Sequence, residues 1–325
     1  MASQSVGSFV RFSTRDLPER ARVPYWQEVF GRHVIRTQVE PVSDAQFNAE
    51  GTLWSLPGLR VHWSSYSGAA RLLRPRELIS GDDDQIALLI DLAGTVDFAQ
   101  AGREVALERG DGITILHAEP ARMVFPRARY MAVMAPTKAL QPFTRSVEDK
   151  AGCHVPRASE ALRLLVCYVD WLTREPGLAN SSELVTLAVS HVHDLMALAL
   201  GATRDGTALA NGRGVRAARV NAIKTFIREN LARPDLSVRT VASAQGLSAR
   251  YIHMLFEGEG MTFSSFVLEQ RLAHAHRMLK SPRFAGDTIS AIAFAAGFGD
   301  LSHFNRSFRR RFGASPTQVR LAGNG

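Results

Sequence analysis

The sequence has no uninterrupted apolar run of about eighteen residues, so no transmembrane helix is expected. Its N-terminus, MASQSVGSFVRFSTRDLPER, lacks the basic-then-apolar order of a secretory leader. There are two cysteines in 325 residues, Cys153 and Cys167, with no Cys-x-x-Cys pair between them. Free thiols in a reducing cytoplasm are the simplest reading, and that is the expected location. No zinc-ligand spacing occurs, so no metal or other cofactor is expected. Nucleophile-elbow, P-loop and paired-carboxylate signatures are also missing, and no catalytic residue is assigned.

Acidic residues become scarce toward the end of the chain. The whole protein carries a formal +8, with 39 Lys and Arg against 31 Asp and Glu. Residues 213–325 hold 17 basic and 7 acidic side chains, whereas residues 1–212 hold 22 and 24. The entire basic excess therefore sits in the last third, on a near-neutral body. That is an electrostatic footprint for a polyanion, and nucleic acid and anionic membrane both fit it.

The chain is long enough for two or three domains. The stretch GATRDGTALANGRG (201–214) has no apolar periodicity, coincides with the change in charge balance and reads as a linker. Before it, residues ~37–135 look β-rich. DQIALLIDLAG (84–94), TVDFAQAG (95–102), REVALERGDG (103–112) and RYMAVMAP (129–136) are short runs punctuated by Gly and Asp, as in an antiparallel sandwich or small barrel. Residues 16–33 look like an amphipathic helix covering this region. SEALRLLVCYVDWLTRE (159–175) and SSELVTLAVSHVHDLMALAL (181–200) open with Ser then Glu and predict two helices. The second is apolar over much of its surface, which suits a buried hairpin or a helix packed on a partner subunit.

After the linker the pattern is helical and contains a repeat. Set Gly246 against Gly297. Val238, Val241 and Ala242 then fall against Ile289, Ile292 and Ala293, and Ser237 falls against Thr288, both N-cap types. With one extra residue in the second turn, Ser248 meets Asp300, Ile252 meets Phe304 and Phe256 meets Phe308. Each copy, about 236–257 and 287–312, is a short helix, a glycine turn and a second helix. That is the anatomy of a helix-turn-helix, whose second helix enters the DNA major groove. A long helix over 262–281 joins the copies. In the second copy Phe304, Phe308 and Phe312 form one apolar stripe, expected in the core, with arginines on the remaining faces.

These residues carry a family resemblance. VASAQGLSARYIHMLFEGEGMTFSSFVLEQRLAHAHRML followed by ISAIAFAAGFGDLSHFNRSFRRRFGASPTQVR resembles the DNA-binding domain of the AraC/XylS family of bacterial transcription regulators. The match covers residues ~216–323, about a third of the chain. The β-rich region, through YWQEVF and TVDFAQAGREVALERGDGITIL, is similar to the cupin-like AraC-binding-like sensing domain. The expected fold is thus α+β in two domains. Residues 1–200 form a β-rich cupin-like barrel with a helical hairpin for effector sensing and dimerisation. After the linker 201–214, residues 215–325 form an all-α double helix-turn-helix.

By the family's mode of docking, the base-edge candidates are Arg250, His253 and Met254 in the first copy and Leu301, Ser302, His303 and Arg306 in the second. Arginine can pair bidentately with guanine, and Met254 or Leu301 can pack on a thymine methyl. Family members commonly carry a polar residue at the position of Leu301, so the second motif's base preference is not carried over. Arg309, Arg310, Arg311 and Arg320 are phosphate candidates, together with the helix N-termini at Ser237 and Thr288. Two motifs on one face of B-DNA would meet major grooves one turn apart, ~34 Å or ~10 base pairs. Trp63, Tyr66, Arg71, His117 and Arg122, on or near expected strands, are the effector-site candidates. The resemblance implies double-stranded promoter DNA, RNA polymerase, a small-molecule effector and a second copy of the chain as partners, with no membrane. It implies an activator and no enzymatic activity.

Two other classes stay open on the sequence alone. A cupin-type enzyme with a basic tail would need a cluster of metal ligands. His62 and His117 stand isolated, and HVH (191–193) and HAH (274–276) lie in helices, where residues two apart point to different sides. A non-specific nucleoid-type binder would show steep salt dependence and little preference among sequences.

Overall fold

The computed structural model describes residues 7–42, 47–79, 84–144, 146–174, 181–202, 204–233 and 235–323. The chain divides into two compact units, Met1–Ala218 and Arg219–Gly325.

The first unit holds two antiparallel sheets. The larger has the order β1-β3-β4-β11-β6-β9-β12, and the smaller β2-β5-β10-β7-β8. The strands of the larger sheet are β1 (Ser8–Ser13), β3 (Ala49–Leu56), β4 (Leu59–Tyr66), β6 (Gln85–Gly94), β9 (Gly112–Leu116), β11 (Ala128–Pro136) and β12 (His154–Val155). Those of the smaller are β2 (Gln38–Pro41), β5 (Ala70–Arg74), β7 (Val96–Gln100), β8 (Arg103–Leu107) and β10 (Ala121–Phe125). β6 reads as an unbroken apolar run because both of its faces are covered; Ile86 through Asp91 are all buried. Leu89 joins Phe98, Phe125 and Tyr130 in the core between the sheets. Leu88 and Ile90 join Val61, Val133 and two helices in a second core on the opposite face.

Those helices are α3 (Glu160–Arg174) and α4 (Ser182–Ala199), which follow the short α2 (Thr137–Leu140). The Ser181 hydroxyl caps α4 by accepting from the Leu184 N–H. Inside the hairpin Tyr168 Oη lies 2.8 Å from His191 Nδ1, while His193 Nε2 lies 2.9 Å from the Gly58 carbonyl. The HVH histidines thus take separate partners, as their spacing requires. At the other end of the chain, α1 (Glu19–Trp26) continues as a wider π-helical stretch to Ile35. It buries Trp26 and Phe30, stacked with ring centroids 4.5 Å apart. Gly51 admits them: a Cβ there would lie 3.0 Å from the Trp26 ring. The turn between β7 and β8 places Ala101 (φ 52°) and Gly102 (φ 74°) in the left-handed region, a two-residue hairpin of the kind QAGREV predicts. β1 had no counterpart in the sequence reading. It is an edge strand, largely exposed, and so carries no apolar alternation.

The segment expected as a linker behaves differently from that reading. Residues 204–214 are the first turns of α5 (Arg204–Glu229), and the division between units falls after Ala218. Gly214, which helped make the stretch look irregular, lies where a Cβ would come within 2.6 Å of Asp194 Cβ and 2.8 Å of the His191 carbonyl. Glycine there permits a close helix contact, which offsets its low helix propensity of about 1 kcal/mol.

The second unit is wholly helical among its described residues. The rear of α5 packs with α6 (Val238–Gln245), α7 (Ala249–Glu257) and the front of α8 (Phe263–Lys280) around Ile223, Ile227, Ile252 and Phe256. The rear of α8 packs with α9 (Ile289–Ala295), α10 (Leu301–Phe312) and α11 (Pro316–Gly323) around Leu272, Leu279, Phe304 and Phe308. One long helix therefore serves two small cores.

Candidate nucleic-acid interface and barrel cavity

Each motif is set by local hydrogen bonding. Ser237 and Thr240 form a reciprocal capping box at the start of α6. The Thr288 hydroxyl accepts from the Ala291 N–H at the start of α9. Gly246 and Gly297 adopt φ values of 64° and 93° at the two turns. Ser248 and Asp300 then cap α7 and α10, accepting from the N–H groups of Tyr251 and His303. These are the four caps and two turns that the repeat predicts.

The apolar stripe faces inward as expected. Phe304 and Phe308 are fully buried, and Phe312, half-buried, stacks on His276 at 4.5 Å. The opposite faces are open. Arg250, His253 and Met254 are exposed on α7; Leu301, Ser302, His303 and Arg306 are exposed on α10. Asn305, also exposed on α10, stands at the position equivalent to His253. The sequence reading passed over it, although the repeat alignment contains the signal.

The phosphate candidates divide. Arg309 and Arg310 are exposed and form no ion pair with the described residues. Arg311 donates through Nε to Glu269 Oε2 at 2.8 Å, with its guanidinium 5.4 Å from the Phe312 ring centroid, so it ties α10 to α8. Arg320 turns inward. Its Nη1 donates to the Asp287 carbonyl at 2.7 Å, and its Nε and Nη2 are buried without a partner among the described residues. It braces the loop leading into α9. The hydroxyls of Ser237 and Thr288 are engaged as caps, which leaves main-chain N–H groups as the groups those termini can offer.

The first unit holds a cavity of about 60 Å³ between its sheets. Thr37, His62, Arg74, His117, Arg122 and Tyr130 supply its polar lining, and Leu72, Leu89, Phe98 and Ile115 part of its apolar wall. Two of the five effector candidates, His117 and Arg122, therefore reach it. The other three do not. Trp63 faces the helix-side core, because alternate residues of β4 point to opposite faces and His62 takes the inward one. Tyr66 is packed beside the cavity, accepting from Trp26 Nε1 at 3.2 Å. Arg71 lies on the outer side of β5, 3.4 Å from Glu40. Arg74, on the inward parity of the same strand, is the arginine that enters. It donates to the carbonyls of Ile35 and His117.

Burial, with a contribution from Arg60, holds the His62 pKa down to about 3. Burial and the Arg74 charge hold His117 well below its ordinary value. Both rings are therefore neutral at pH 7. Burial also raises the Tyr130 phenol, which stays protonated.

Residues 26–201 match the AraC-binding-like domain family, and residues 241–322 match a helix-turn-helix domain family. The first match alone covers more than half of the chain. The chain belongs to the AraC/XylS family of transcription regulators. Its relatives include the transcriptional activator NphR of Rhodococcus sp., 28% identical over 97% of this chain and 93% of that protein. The transcriptional activator RhrA of Rhizobium meliloti (strain 1021) is 35% identical over 51% of each chain, so the chain spans about half the length of that relative. Among solved structures, the AraC-like transcriptional activator CuxR superposes with a TM-score of 0.50, covering 82% of this chain and 95% of that one at 20% identity, a likeness of fold. The AraC/XylS fold accounts for both units: a β-rich domain of two sheets and a helical DNA-binding domain with two helix-turn-helix motifs. No helix among the described residues is long and apolar enough to cross a membrane.

Proposed function

We propose that this regulator activates transcription from promoters that it reads with both helix-turn-helix motifs, under the control of a small molecule received by its β-rich domain. The observation that carries this reading is the pair of capped, glycine-turned motifs, each with an open recognition face, sharing α8 as common support. Arg250, His253, Met254, Leu301, Ser302, His303 and Arg306 are assigned to base edges, and Arg309 and Arg310 to phosphates. The protein works in the cytoplasm, contacts RNA polymerase at the promoter and performs no catalysis. Leu184 and Leu187, about half exposed on α4, supply an apolar face for a second copy.

The test is selection of bound duplexes from a random DNA pool by the full-length protein at near-physiological salt. An enriched pair of blocks about one helical turn (~10 base pairs) apart supports two-motif reading. Binding without enrichment overturns it in favour of non-specific binding, which a steep salt dependence identifies. Transcription in vitro from an enriched site, with and without the protein, reads activation directly. A monomeric mass across the micromolar range removes the dimer.

A further inference from the structure

The two motifs match in backbone and core but differ in charge. With Phe256 set against Phe308, Glu257 stands where α10 has Arg309, Gly258 where it has Arg310 and Glu259 where it has Arg311. α7 carries one arginine and one glutamate, a net charge of 0, whereas α10 carries four arginines and no acid, a net of +4. Arg250, Met254 and Glu257 are spaced i, i+4, i+7 and are all exposed, so they share one stripe that faces away from Ile252 and Phe256 in the core. Ser302, Arg306 and Arg309 form the matching stripe on α10. Glu257 therefore lies on a recognition face. Local structure does not call for an acid there. Glu259 is held by Lys224 at 3.0 Å, but Glu257 has no ion pair among the described residues. Its place in the last turn of α7 also puts a negative charge at the unfavourable end of the helix dipole. Nearby cations are engaged elsewhere: Arg219 donates to the Tyr251 hydroxyl at 3.1 Å, and Arg233 pairs with Asp235 at 2.8 Å. Arg239 and Arg250 remain exposed without an ion pair among the described residues.

We propose that the two motifs divide the work of binding: the second grips the DNA backbone on any sequence, and the first engages only where its bases match, with Glu257 as the residue that makes its engagement conditional. The assignment rests on the reading of both motifs as DNA-binding and deepens it. A recognition helix presents its first residues to base edges, so the last-turn member of the same stripe stands toward the phosphates. At that place Arg309 attracts the backbone and Glu257 repels it. The repulsion acts on every sequence and offsets what Arg239 gains from the same backbone. Only base contacts by Arg250, His253 and Met254 can outweigh it, and those exist on the matching sequence alone. Arg309 and Arg310, free on α10, attract any duplex. Non-matching DNA is therefore held by the second motif while the first stays disengaged.

The experiment uses the full-length protein and the duplex enriched by the selection above. Arg250→Ala and Arg306→Ala, each relaxing preference in one block, identify which block each motif reads. Ethylation of single phosphates then maps the backbone contacts. A majority of interfering phosphates flanking the α10 block supports the proposal; an equal share, or a majority at the α7 block, overturns it. A second duplex keeps the α10 block and scrambles the α7 block. Its salt slope is expected to differ from the operator's by less than about 1, and a larger difference overturns the proposal, because the first motif then carries its own phosphates. On this second duplex Glu257→Arg is expected to steepen the slope by about 1 and to tighten binding about threefold or more. Glu229→Arg, at an exposed acid that ends α5, makes the same change in net charge and serves as the control. Smaller tightening by Glu257→Arg, or equal tightening by Glu229→Arg, overturns the role of Glu257. Failure of the selection to enrich any operator removes the two-motif reading itself. An enriched operator with evenly shared phosphates removes only the division of work.

Discussion

A Cβ placed on Gly297 would lie 2.1 Å from the carbonyl oxygen of Leu231. The turn of the second motif is thus pressed against the turn that follows α5, whose Leu231 belongs to the core of the first. Arg271 on α8 completes the junction, donating from Nε to the same carbonyl at 3.2 Å and from Nη2 to that of Arg233 at 3.3 Å. The relative placement of the two motifs therefore depends on a backbone contact as well as on the joining helix.

The two turn glycines should respond unequally to alanine. Gly246→Ala faces only the cost of positive φ, about 1 kcal/mol, since nothing lies within 4 Å of its Cβ position. Gly297→Ala adds a backbone collision and should lose about 3 kcal/mol or more. Thermal unfolding of the two variants should rank them in that order, and equal losses would remove the junction argument.

Arginines on α10 should separate by role. Arg306→Ala is expected to cost about 1–3 kcal/mol on a selected operator and to relax preference at one base pair. Arg309→Ala and Arg310→Ala should weaken all sequences alike and each reduce the salt slope by about 1. Competition binding against single-base operator variants over a salt series distinguishes these outcomes.

Phe304→Ala removes a fully buried ring from the second core and should cost about 3–5 kcal/mol. DNA binding should fall in proportion to the population of folded second motif. Near-normal stability with lost binding would instead mean that Phe304 touches DNA.

In the first unit, Asp111 supplies a pH dependence. Burial pushes its carboxyl up, but the N–H groups of Arg157 and Glu108, together with His154, outweigh burial and hold it below the usual carboxylate value. A group depressed in the folded state stabilises above its unfolded pKa, about 3.9, and loses that contribution as pH falls through the lower folded value. Unfolding followed from pH 7 to pH 2 should therefore show Asp111→Ala less stable by about 1–3 kcal/mol near neutrality, with the difference shrinking in acid. A constant difference across that window would assign the loss to packing.

The DNA-binding domain was legible because its determinants are local. Caps, turn glycines and an apolar stripe four residues apart each depend on neighbours within one or two helical turns, and their repetition at matched offsets identified Ser237, Gly246, Ser248, Thr288, Gly297 and Asp300 from the sequence alone. The β-rich class and the helical hairpin were legible for the same reason. Tertiary structure decided the rest. It placed Arg74 in the cavity and left Arg71 outside, because strand parity assigns a face only once the register is known. It turned Arg320 inward and tied Arg311 to Glu269, since a charge in a basic run carries no mark of its partner 42 residues away. It made residues 204–214 helical, with Gly214 set closely against α4, where the sequence showed only a polar, glycine-bearing interval. A local pattern records what a residue does to its own backbone; the face it presents and the group it meets depend on chain far from it in sequence.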